Sequence, residues 1–422
     1  MKNQIFKSVR GMKDGLPENN LVRRKIFSKI INRAELFGYN EINLPIVEYS
    51  EVFKRGIGLD TDVVNKEMYS FQDRNGEYLS LRPEGTAGCV RAVLENNLLI
   101  SPPLRLWYFG KMFRYERPQK GRQRQFSQFG FELFGIKDIF AEFELICLIE
   151  DIWAELQLND LSLEINSLGT NDERLKYTNA LAEYFAQYKK DFDQSTIETL
   201  QRNPIRLLDS KNPILSELKE NAPKIRQFLS IKSIARIDDL QDLLSSNGIL
   251  TNINPYLVRG LDYYSDIVFE WKTTRLGAQD AVCAGGRYDT LISKMGGNEG
   301  AAIGCAIGFE RILSILSDSQ LKYKKKPKVY LTATNDELDS EVFKIWKTIK
   351  AEISDSVLTL HLSKGTLKSR LKRADKSDAF AAIIIGEDEL RKEKFLIKPL
   401  RLNEKQVLCN KNELGETLKR FL

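Results

Sequence analysis

Apolar residues near the N-terminus follow first a helical and then a strand spacing. In residues 21–37 they recur every three or four positions, and Gly38 ends the run, which predicts an amphipathic helix. Residues 41–47 are typical of a strand, and Pro45 suits a position at an edge or an end of a sheet. The first predicted elements are therefore a helix and an edge strand.

Strand-like and helical segments then alternate on a larger scale. Residues 67–83 and 104–135 are rich in aromatic and β-branched residues bounded by turn signals, which predicts hairpins and hence an antiparallel sheet. Residues 170–245 are polar and helical in pattern, and strand-like, glycine-rich sequence returns at 257–289 before a helical run at 309–316. We interpret the polar helical stretch as an insertion into a sheet domain.

A lysine-rich segment divides the chain. Residues 322–328 contain five lysines and one proline, a composition typical of a linker. Beyond it, strand and helix patterns alternate, which predicts a small α/β domain. We expect an α+β fold with domains at residues 1–325 and 326–422, and with the insertion at 170–245 inside the first domain.

The composition is that of an ordinary globular protein, and it excludes several kinds of site. With 422 residues, 42% of them hydrophobic, the chain has room for two or three domains. His361 is the only histidine, so two-histidine zinc sites are excluded and a histidine general base is not expected. The five cysteines form no C-x-x-C motif, so we predict no protein-ligated metal, no disulfide framework and a reducing compartment.

Targeting and charge patterns favour a cytoplasmic protein. No apolar signal segment is visible near the N-terminus. The longest apolar stretch, residues 379–385, is far shorter than the roughly 20 residues that span a bilayer. The formal net charge of +6 permits a polyanionic partner without requiring one. We expect a cytoplasmic location without membrane insertion.

One predicted hairpin concentrates positive charge. The chain lacks the glycine-rich phosphate-binding motifs, so a bound nucleotide would be held by side chains. Residues 111–124 carry six cations against the single acid Glu116, which suits a polyphosphate ligand. The cations are Lys111, Arg114, Arg117, Lys120, Arg122 and Arg124. A solvated hairpin tip is the alternative interpretation.

The strand after this hairpin presents polar groups on one face. Alternation places Phe126, Gln128, Gly130, Glu132 and Phe134 on the same side. A core face should not carry an amide and a carboxylate around a glycine. The pattern is therefore compatible with a pocket in which the glycine opens the floor and the first aromatic ring stacks on a ligand. A solvated face with a bulge at the glycine is the alternative.

Two further clusters place charged side chains next to glycines. Residues 81–88 put Glu84 and Thr86 around a glycine at the end of a strand, which suits an ammonium group but is also common in turns. Residues 257–264 contain Arg259, an acid and two phenols, and an arginine buried there would need an anionic partner. Each cluster alone is compatible with a structural role.

The order of the segments is specific. In sequence the chain contains R-G-M-K-D (10–14), L-R-P-E-G-T-A-G-C-V-R-A (81–92), F-R-Y-E-R-P-Q-K-G-R-Q-R-Q-F (113–126), L-V-R-G-L-D-Y-Y (257–264), A-G-G-R-Y-D (284–289), A-I-G-F-E-R (306–311), G-T-L-K-S-R-L-K-R-A-D-K-S (365–377) and I-G-E-D-E-L (385–390). Together they resemble histidyl-tRNA synthetases nearly end to end. One departure is Ser127, where family members often have histidine; alternation predicts it on the face opposite Gln128 and Glu132.

The resemblance implies a class II synthetase core, which is an antiparallel sheet flanked by helices with a helical insertion. It also implies a C-terminal α/β domain that binds the anticodon. Residues 38–45 match the first class motif, which implies a homodimer. The cationic hairpin at residues 111–124, called the arginine hairpin below, matches the second motif, and residues 304–311 match the third. The implied activity is ATP-dependent ligation of L-histidine to tRNA(His) through histidyl-adenylate, with Mg²⁺ accompanying ATP.

The resemblance also assigns roles in ATP binding and catalysis. Arg114 would contact the α-phosphate, and Arg259 would stabilise the transition state from the opposite side. Phe126 and Arg311 would sandwich the adenine. The residues assigned to ATP are Arg114, Glu116, Arg122, Phe126 and Arg311.

The histidine contacts that the resemblance implies are Glu84, Thr86, Gln128, Glu132, Tyr263, Tyr264 and Tyr288. The turn E-G-T at residues 84–86, together with Gln128, would hold the α-amino group of histidine. Glu132 and Tyr264 would bind the imidazole, and the other two tyrosines would line the pocket. An imidazole carries hydrogen-bonding groups on opposite edges, so a wrong side chain would leave buried polar groups unpaired.

A basic segment of the last domain suits tRNA. Residues 364–376 combine six cations with the acid Asp375 on a predicted helix whose apolar stripe is Leu367, Leu371 and Ala374. Phosphate binding is one interpretation and a merely solvated face is the other. The rival function is the non-catalytic, histidine-sensing regulatory subunit of ATP phosphoribosyltransferase, which usually lacks the last domain and has eroded arginine motifs. A stand-alone nucleic-acid-binding module is a more distant third.

Overall fold

The computed structural model describes residues 6–119, 121–210, 212–277, 280–321 and 326–421. The chain folds as two units, Met1–Lys322 and Tyr323–Leu422. Most of the predicted lysine linker and Lys120 of the arginine hairpin lie outside the described residues. Among the residues described, no helix combines the length and apolar character needed to cross a membrane.

The first unit alternates helices and strands. Its helices are α1 (Pro17–Leu36), α2 (Ser50–Ile57), α3 (Thr86–Glu95), α4 (Phe140–Glu155), α5 (Asn171–Ala186), α6 (Gln194–Arg202), α7 (Pro213–Asn221), α8 (Ile231–Ser246), α9 (Asp289–Lys294), α10 (Phe309–Ile315) and α11 (Asp318–Leu321). Its strands are β1 (Asn40–Glu41), β2 (Val47–Tyr49), β3 (Tyr69–Gln72), β4 (Tyr78–Leu81), β5 (Leu104–Phe113), β6 (Gln125–Phe134), β7 (Ser162–Ser167), β8 (Thr251–Ile253), β9 (Ile267–Lys272), β10 (Ala281–Arg287) and β11 (Ala302–Gly308).

A large sheet organises this unit. Within the described residues it has eight strands in the order β1-β5-β6-β11-β10-β9-β7-β8. β1 is parallel to β5 and β7 to β8, whereas the other neighbours are antiparallel. The predicted hairpins are confirmed, because β5 pairs with β6 and β3 pairs with β4 in antiparallel fashion.

The helix and the strand predicted near the N-terminus have different outcomes in the structure. The helix predicted at residues 21–37 is confirmed as α1, which begins earlier with Pro17 in its first turn. The strand predicted at residues 41–47 is wrong in extent, because strand pairing is confined to the short β1 and β2 on either side of an irregular stretch. That stretch contains Pro45, which has no N–H to donate to a neighbouring strand.

The two faces of the large sheet differ in chemistry because side chains alternate along each strand. On β6, Phe129, Phe131 and Leu133 join a core that includes apolar residues of α1, α4 and α8. The alternate residue Phe134 joins a second core, on the face covered by α3, α9 and part of the insertion. The polar residues predicted on β6 belong to this second face.

The inserted segment lies between β7 and β8 and contains α5, α6, α7 and α8. Tyr177, Leu181 and Phe185 of α5 are buried in the second core. Leu240 and Leu244 of α8 are buried in the first core. The insertion therefore shares apolar packing with both faces of the sheet.

The second unit is a smaller α/β structure, as the alternating pattern predicted. Its strands are β12 (Lys328–Ala333), β13 (Val357–Leu360), β14 (Ala381–Ile385), β15 (Lys394–Pro399) and β16 (Val407–Asn410). Its helices are α12 (Asp339–Glu352), α13 (Leu367–Lys376), α14 (Glu387–Arg391) and α15 (Leu414–Lys419). The sheet order is β13-β12-β14-β15-β16, with β12 parallel to β13 and β14 and with antiparallel pairing beyond β14.

The basic segment around α13 is less uniform than its sequence indicated. Lys364, Lys368, Lys372, Arg373 and Lys376 are exposed. Arg370, which the sequence analysis grouped with these cations, is fully buried and paired with two aspartates of distant sequence, Asp336 and Asp339. Counting Arg370 as part of a phosphate-binding face was therefore wrong.

The single histidine of the chain is a buried structural residue of the second unit. His361 Nδ1 lies 2.8 Å from the Tyr330 hydroxyl, and its Nε2 lies 3.1 Å from the Ser363 hydroxyl. Burial and the nearby Arg370 lower the pKa of the imidazole. Both ring nitrogens are thus engaged within the fold.

A buried ion pair joins the sheet to two helices. Arg287, at the end of β10, donates to both carboxylate oxygens of Glu142 on α4, at 2.8 and 2.7 Å. Arg236 on α8 donates to the same carboxylate at 2.8 Å. Side-chain exposure is 2% for Arg287 and 0% for Glu142, so removing Glu142 would leave the buried Arg287 with only Asp289, at 3.3 Å, as an acidic partner.

We expect Glu142→Gln to lower the free energy of unfolding by about 3–5 kcal/mol, the usual cost of breaking a buried ion pair. Denaturant unfolding of the whole chain, followed by tryptophan fluorescence, measures this change. The control is Asp238→Asn on α8, because Asp238 pairs with Arg226 at side-chain exposures of 42% and 46% and such pairs contribute at most about 1 kcal/mol. Equal effects of the two variants would contradict a central role for Glu142.

Candidate active site

A cavity of about 530 Å³ opens on the second face of the large sheet. Its wall combines the β5–β6 hairpin, the beginning of α3, the segment 257–264, and parts of β10 and β11 with the start of α10. The predicted site residues that line it are Glu84, Thr86, Arg114, Glu116, Arg122, Phe126, Gln128, Arg259, Tyr263, Tyr264 and Arg311. The fold therefore brings together residues that are far apart in sequence.

A buried carboxylate lies behind this wall. Glu132 is fully buried and accepts hydrogen bonds from Thr86 Oγ1 at 2.8 Å, the Tyr108 hydroxyl at 2.9 Å and the Tyr288 hydroxyl at 2.5 Å. Burial raises the pKa of Glu132 to about 8, although the three hydroxyls oppose the shift. Because Thr86 and Tyr108 also line the cavity, they connect Glu132 to it.

Glycines leave the room that this cluster needs. A Cβ at Gly130 would lie 2.0 Å from the Tyr108 ring, and a Cβ at Gly85 would lie 2.2 Å from the same ring. A Cβ at Gly304 would lie 1.6 Å from Glu132 Oε2. Both sequence interpretations of Gly130 were wrong: the pairing of β6 is regular at this residue, and the freed space is filled by Tyr108 rather than left open.

The beginning of α3 holds the second acid of the pocket. Glu84 accepts from the backbone N–H groups of Thr86 at 2.6 Å and Ala87 at 2.9 Å. A carboxylate at this place also interacts favourably with the helix dipole. Burial nevertheless raises the pKa of Glu84, against the effect of these N–H groups. The E-G-T turn is thus an ordered feature that faces the cavity.

The opposite end of the cavity is basic. Arg114 Nε donates to the Pro83 carbonyl at 2.9 Å, and the Arg114 guanidinium lies 5.5 Å from the centre of the Phe126 ring. Arg122 pairs with Glu116 at 2.9 Å. The arginine hairpin therefore does more than form a solvated tip, because these side chains turn towards the cavity.

Two further arginines reach the cavity from other elements. Arg259 pairs with Glu270 on β9 at 2.6 Å, which confirms that this arginine has an anionic partner. Arg311 on α10 donates to the Ala281 carbonyl. Burial, followed by the nearby Arg122, lowers the pKa of Arg311. Each guanidinium thus has a defined position before any ligand binds.

Comparison with known proteins decides the family. A sequence model described as histidyl-tRNA synthetase matches residues 11–312. The "Histidine--tRNA ligase" of Hydrogenovibrio crunogenus is 42% identical and covers 100% of this chain and 99% of its own length. The protein of the same name from Legionella pneumophila is 44% identical and covers 99% of each chain. This chain belongs to the histidyl-tRNA synthetase family.

Solved structures agree with this membership. The apo histidyl-tRNA synthetase of S. aureus is 28% identical, has a TM-score of 0.79 and covers 98% of this chain and 100% of its own. A Bacillus halodurans structure described as an ATP phosphoribosyltransferase regulatory subunit/histidyl-tRNA synthetase has a TM-score of 0.67 at 24% identity, with coverages of 91% and 99%, and so shows only the shared fold. The curated relatives above are both named as ligases, which disfavours the regulatory-subunit hypothesis.

Ser127, the departure from the family pattern, does not line the cavity but contacts Glu310, which does. Ser127 Oγ lies 2.8 Å from Lys111 Nζ, and the Ser127 backbone N–H donates to Glu310 at 2.7 Å. The predicted separation of Ser127 from Gln128 and Glu132 follows from β6, because Ser127 and Gln128 are consecutive on this strand and consecutive side chains point to opposite faces.

Sequence reasoning missed Tyr108 as a site residue. It is 2% exposed, lines the cavity and donates to Glu132. The strand register would have indicated it, because Tyr108 is directly opposite Gly130 in the β5–β6 pair. An aromatic residue facing a glycine across two strands often covers the gap that the glycine leaves. Without the register, that pairing could not be identified.

We expect Tyr108→Phe to raise the KM for histidine about tenfold with a smaller change in kcat, because losing a hydrogen bond to a buried polar group costs about 1–3 kcal/mol. Histidine-dependent exchange of labelled pyrophosphate into ATP measures both constants. Tyr177→Phe is the matched control, since the Tyr177 hydroxyl is buried without a hydrogen-bond partner among the described residues. A KM unchanged in both variants would refute the importance of the Tyr108 hydroxyl.

Proposed function

We propose that the cavity activates L-histidine with ATP, and that the chain then transfers the histidyl group to tRNA(His). In the first step a carboxylate oxygen of histidine attacks the α-phosphorus of ATP, which gives histidyl-adenylate and releases pyrophosphate. In the second step the histidyl group moves to the 3′ end of the tRNA. The observation that carries the proposal is one cavity, in a chain of this family, that joins a polar pocket to a set of arginines.

Histidine would bind at the acidic end. Glu84, Thr86 and Gln128 would hold its α-ammonium group, because they bring a carboxylate, a hydroxyl and an amide to one part of the wall. Glu132 would accept from an imidazole N–H. Its carboxyl oxygens have acceptor capacity beyond the three hydroxyl groups that donate to them.

The tyrosines would complete the imidazole site. Burial raises the pKa of Tyr264 to about 12, so its hydroxyl stays neutral and can donate or accept at the second ring nitrogen. The rings of Tyr263 and Tyr264 lie 4.6 Å apart, and those of Tyr263 and Tyr288 lie 5.7 Å apart. This packing supports a rigid pocket in which a side chain without matching polar groups would be rejected.

ATP would occupy the basic end. Arg114 would contact the α-phosphate, and Arg259 would stabilise the developing negative charge from the other side. Phe126 and Arg311 would hold the adenine between a ring and a planar guanidinium. Glu116 and Arg122 would complete the ATP site.

No general base is required, because the attacking histidine carboxylate is already ionised at neutral pH. The contribution of the chain is alignment and charge stabilisation. Both suit a cavity whose arginines are held by the Pro83 carbonyl, Glu270 and the Ala281 carbonyl.

Mg²⁺ would enter as part of the ATP substrate. Across the described residues, no group of three or more histidine, cysteine or acidic side chains could hold a metal ion alone. Mg²⁺ commonly uses substrate phosphates and water with one or two carboxylates, and Glu116 and Glu270 line the cavity. When bound, the ion would neutralise part of the phosphate charge.

We further propose the division of labour between domains. Residues 1–325 would form the catalytic core with the insertion at 170–245, and residues 326–422 would bind the anticodon. The exposed lysines near α13 support a phosphate-binding role for the second unit.

A homodimer and a cytoplasmic location complete the proposal. Next to the first class motif, Ile46, Val47 and Tyr49 are 46%, 40% and 54% exposed. Exposed apolar groups of this kind suit a protein interface. A second copy of the chain would cover them.

We expect the wild-type chain to exchange labelled pyrophosphate into ATP only when histidine is present. Arg259→Ala should lower the single-turnover rate of adenylate formation by about 100-fold or more, as for other groups that stabilise transition-state charge, while histidine affinity stays nearly unchanged. No exchange by the wild type would favour the regulatory or binding-module hypotheses. Equal rates in wild type and variant would refute the role of Arg259.

We expect the triple variant Lys364→Ala, Lys368→Ala and Lys372→Ala to flatten the salt dependence of tRNA(His) binding. Each lost phosphate contact should reduce the slope of log K against log salt by about 0.7–0.9. The control replaces Lys392, Lys405 and Lys411, which are exposed elsewhere on the same unit. Filter binding at several salt concentrations gives the slopes. An unchanged slope in the test variant would show that the lysines of the α13 face are solvated and do not contact tRNA phosphates.

A further inference from the structure

The segment 257–264 carries three proposed site residues but is neither helix nor strand. It contains Arg259, Tyr263 and Tyr264, which line the cavity. Irregular backbone has no continuous ladder of hydrogen bonds to fix it. Its position must therefore depend on contacts from other parts of the fold.

One such contact comes from the insertion, next to Arg259. Arg206, in the turn of helix after α6, donates to the Gly260 carbonyl at 3.2 Å and to Asp262 Oδ1 at 3.0 Å. Asn203 donates to the same Asp262 oxygen at 3.3 Å. The Arg206 side chain is only 16% exposed. A single guanidinium thus bridges the residues on the C-terminal side of Arg259.

A second contact comes from the insertion at the other end of the segment. Arg174 on α5 donates to the Tyr264 carbonyl at 2.6 Å. The first turn of α5 is itself fixed, because Thr170 and Glu173 form reciprocal capping bonds. The Glu173 carboxylate also accepts from the Ser230 N–H at the start of α8. Arg174 is therefore presented by a well-anchored part of the insertion.

The core of the first unit holds the middle of the segment. The Asp262 N–H donates to the Ile57 carbonyl at 2.9 Å. A Cβ at Gly58 would lie 2.7 Å from Asp262 Oδ2, so this glycine allows Asp262 to pack closely against the end of α2. Asp262 is thus held between α2 and Arg206.

We propose that Arg206 and Arg174 are positioning residues, through which the inserted segment sets the geometry of the catalytic arginine and the histidine-binding tyrosine separately. Arg206 acts on Arg259 through Gly260 and Asp262, and Arg174 acts on Tyr264 through its carbonyl. The inference rests on the proposed functions of Arg259 and Tyr264. It extends them by making the insertion part of the activation machinery.

The two arginines should have different kinetic signatures. Misplacing a catalytic group by about 1 Å can cost on the order of 100-fold in rate. Replacing Arg206 leaves both members of the Arg259–Glu270 pair in the chain, so the loss should be partial. We therefore expect Arg206→Ala to lower kcat of histidine-dependent pyrophosphate exchange about 10- to 100-fold, with little change in the KM for histidine. Arg174→Ala should chiefly raise that KM. Arg206→Lys, which keeps the charge and one donor group, should recover part of the lost rate.

The experiment uses the full chain, with varied histidine at saturating ATP and with thermal unfolding of each variant. Arg226→Ala is the matched control, because it removes an arginine of the insertion that pairs with Asp238, outside the segment 257–264. It should change neither constant. If Arg206→Ala does not fold, Arg206→Lys decides, with a lower kcat at unchanged KM as the expected result.

Several results would overturn the inference. It fails if Arg206→Ala and Arg174→Ala change kcat and KM in the same proportions, or if they behave as Arg226→Ala does. It also fails if Arg206→Lys matches the wild type where the alanine variant does not fold. A wild-type chain without exchange activity would instead overturn the proposed function, and this inference with it.

Discussion

The burial of one carboxylate, Glu132, constrains the geometry of the whole pocket. An acid in this position is costly unless polar groups surround it, and here the compensation comes from three hydroxyls: Thr86 at the start of α3, Tyr108 on β5 and Tyr288 just after β10. These elements are distant in sequence, so the cluster can form only when the strands and α3 are in register. Correct folding of these elements and completion of the cluster are consequently the same condition.

The glycines of the motifs follow from that constraint. Gly85 and Gly130 leave space for one aromatic ring, and Gly304 leaves space for the carboxylate itself. A methyl group at any of the three would meet an atom of the cluster at 2.2 Å or less. Their role is thus to permit close packing of polar groups, which is a different requirement from the conformational freedom for which glycine is usually selected.

The arginines at the other end of the cavity are also held in place by groups of the chain. Arg114, Arg259 and Arg311 each donate to a fixed carbonyl or carboxylate of the chain. Holding charged groups in place before the substrate arrives avoids the cost of reorganising them during the reaction. The cavity can therefore combine an acidic and a basic end, since its charges are restrained by the fold.

The sequence was sufficient for features that depend on local pattern. Helical spacing identified α1, turn signals identified the hairpins, and the ordered motifs identified the family. It was insufficient where the deciding partner is distant. Tyr108 could not be recognised without the strand register that sets it opposite Gly130, and Arg370 looked like a solvated cation because its partners, Asp336 and Asp339, are 34 and 31 residues away.

The segment 257–264 extends this dependence on distant partners to the wall of the cavity. Its irregular backbone lets Arg259, Tyr263 and Tyr264 approach the cavity together, which neighbouring residues on a regular strand could not do because they alternate between faces. The same irregularity removes its internal support. Part of the missing support comes from arginines of the insertion, 54 to 90 residues away in sequence. A fold that gains this freedom in the wall of its cavity must therefore hold the segment from other structural elements. A movement of the insertion would reach Arg259 through Gly260 and Asp262, and Tyr264 through its carbonyl.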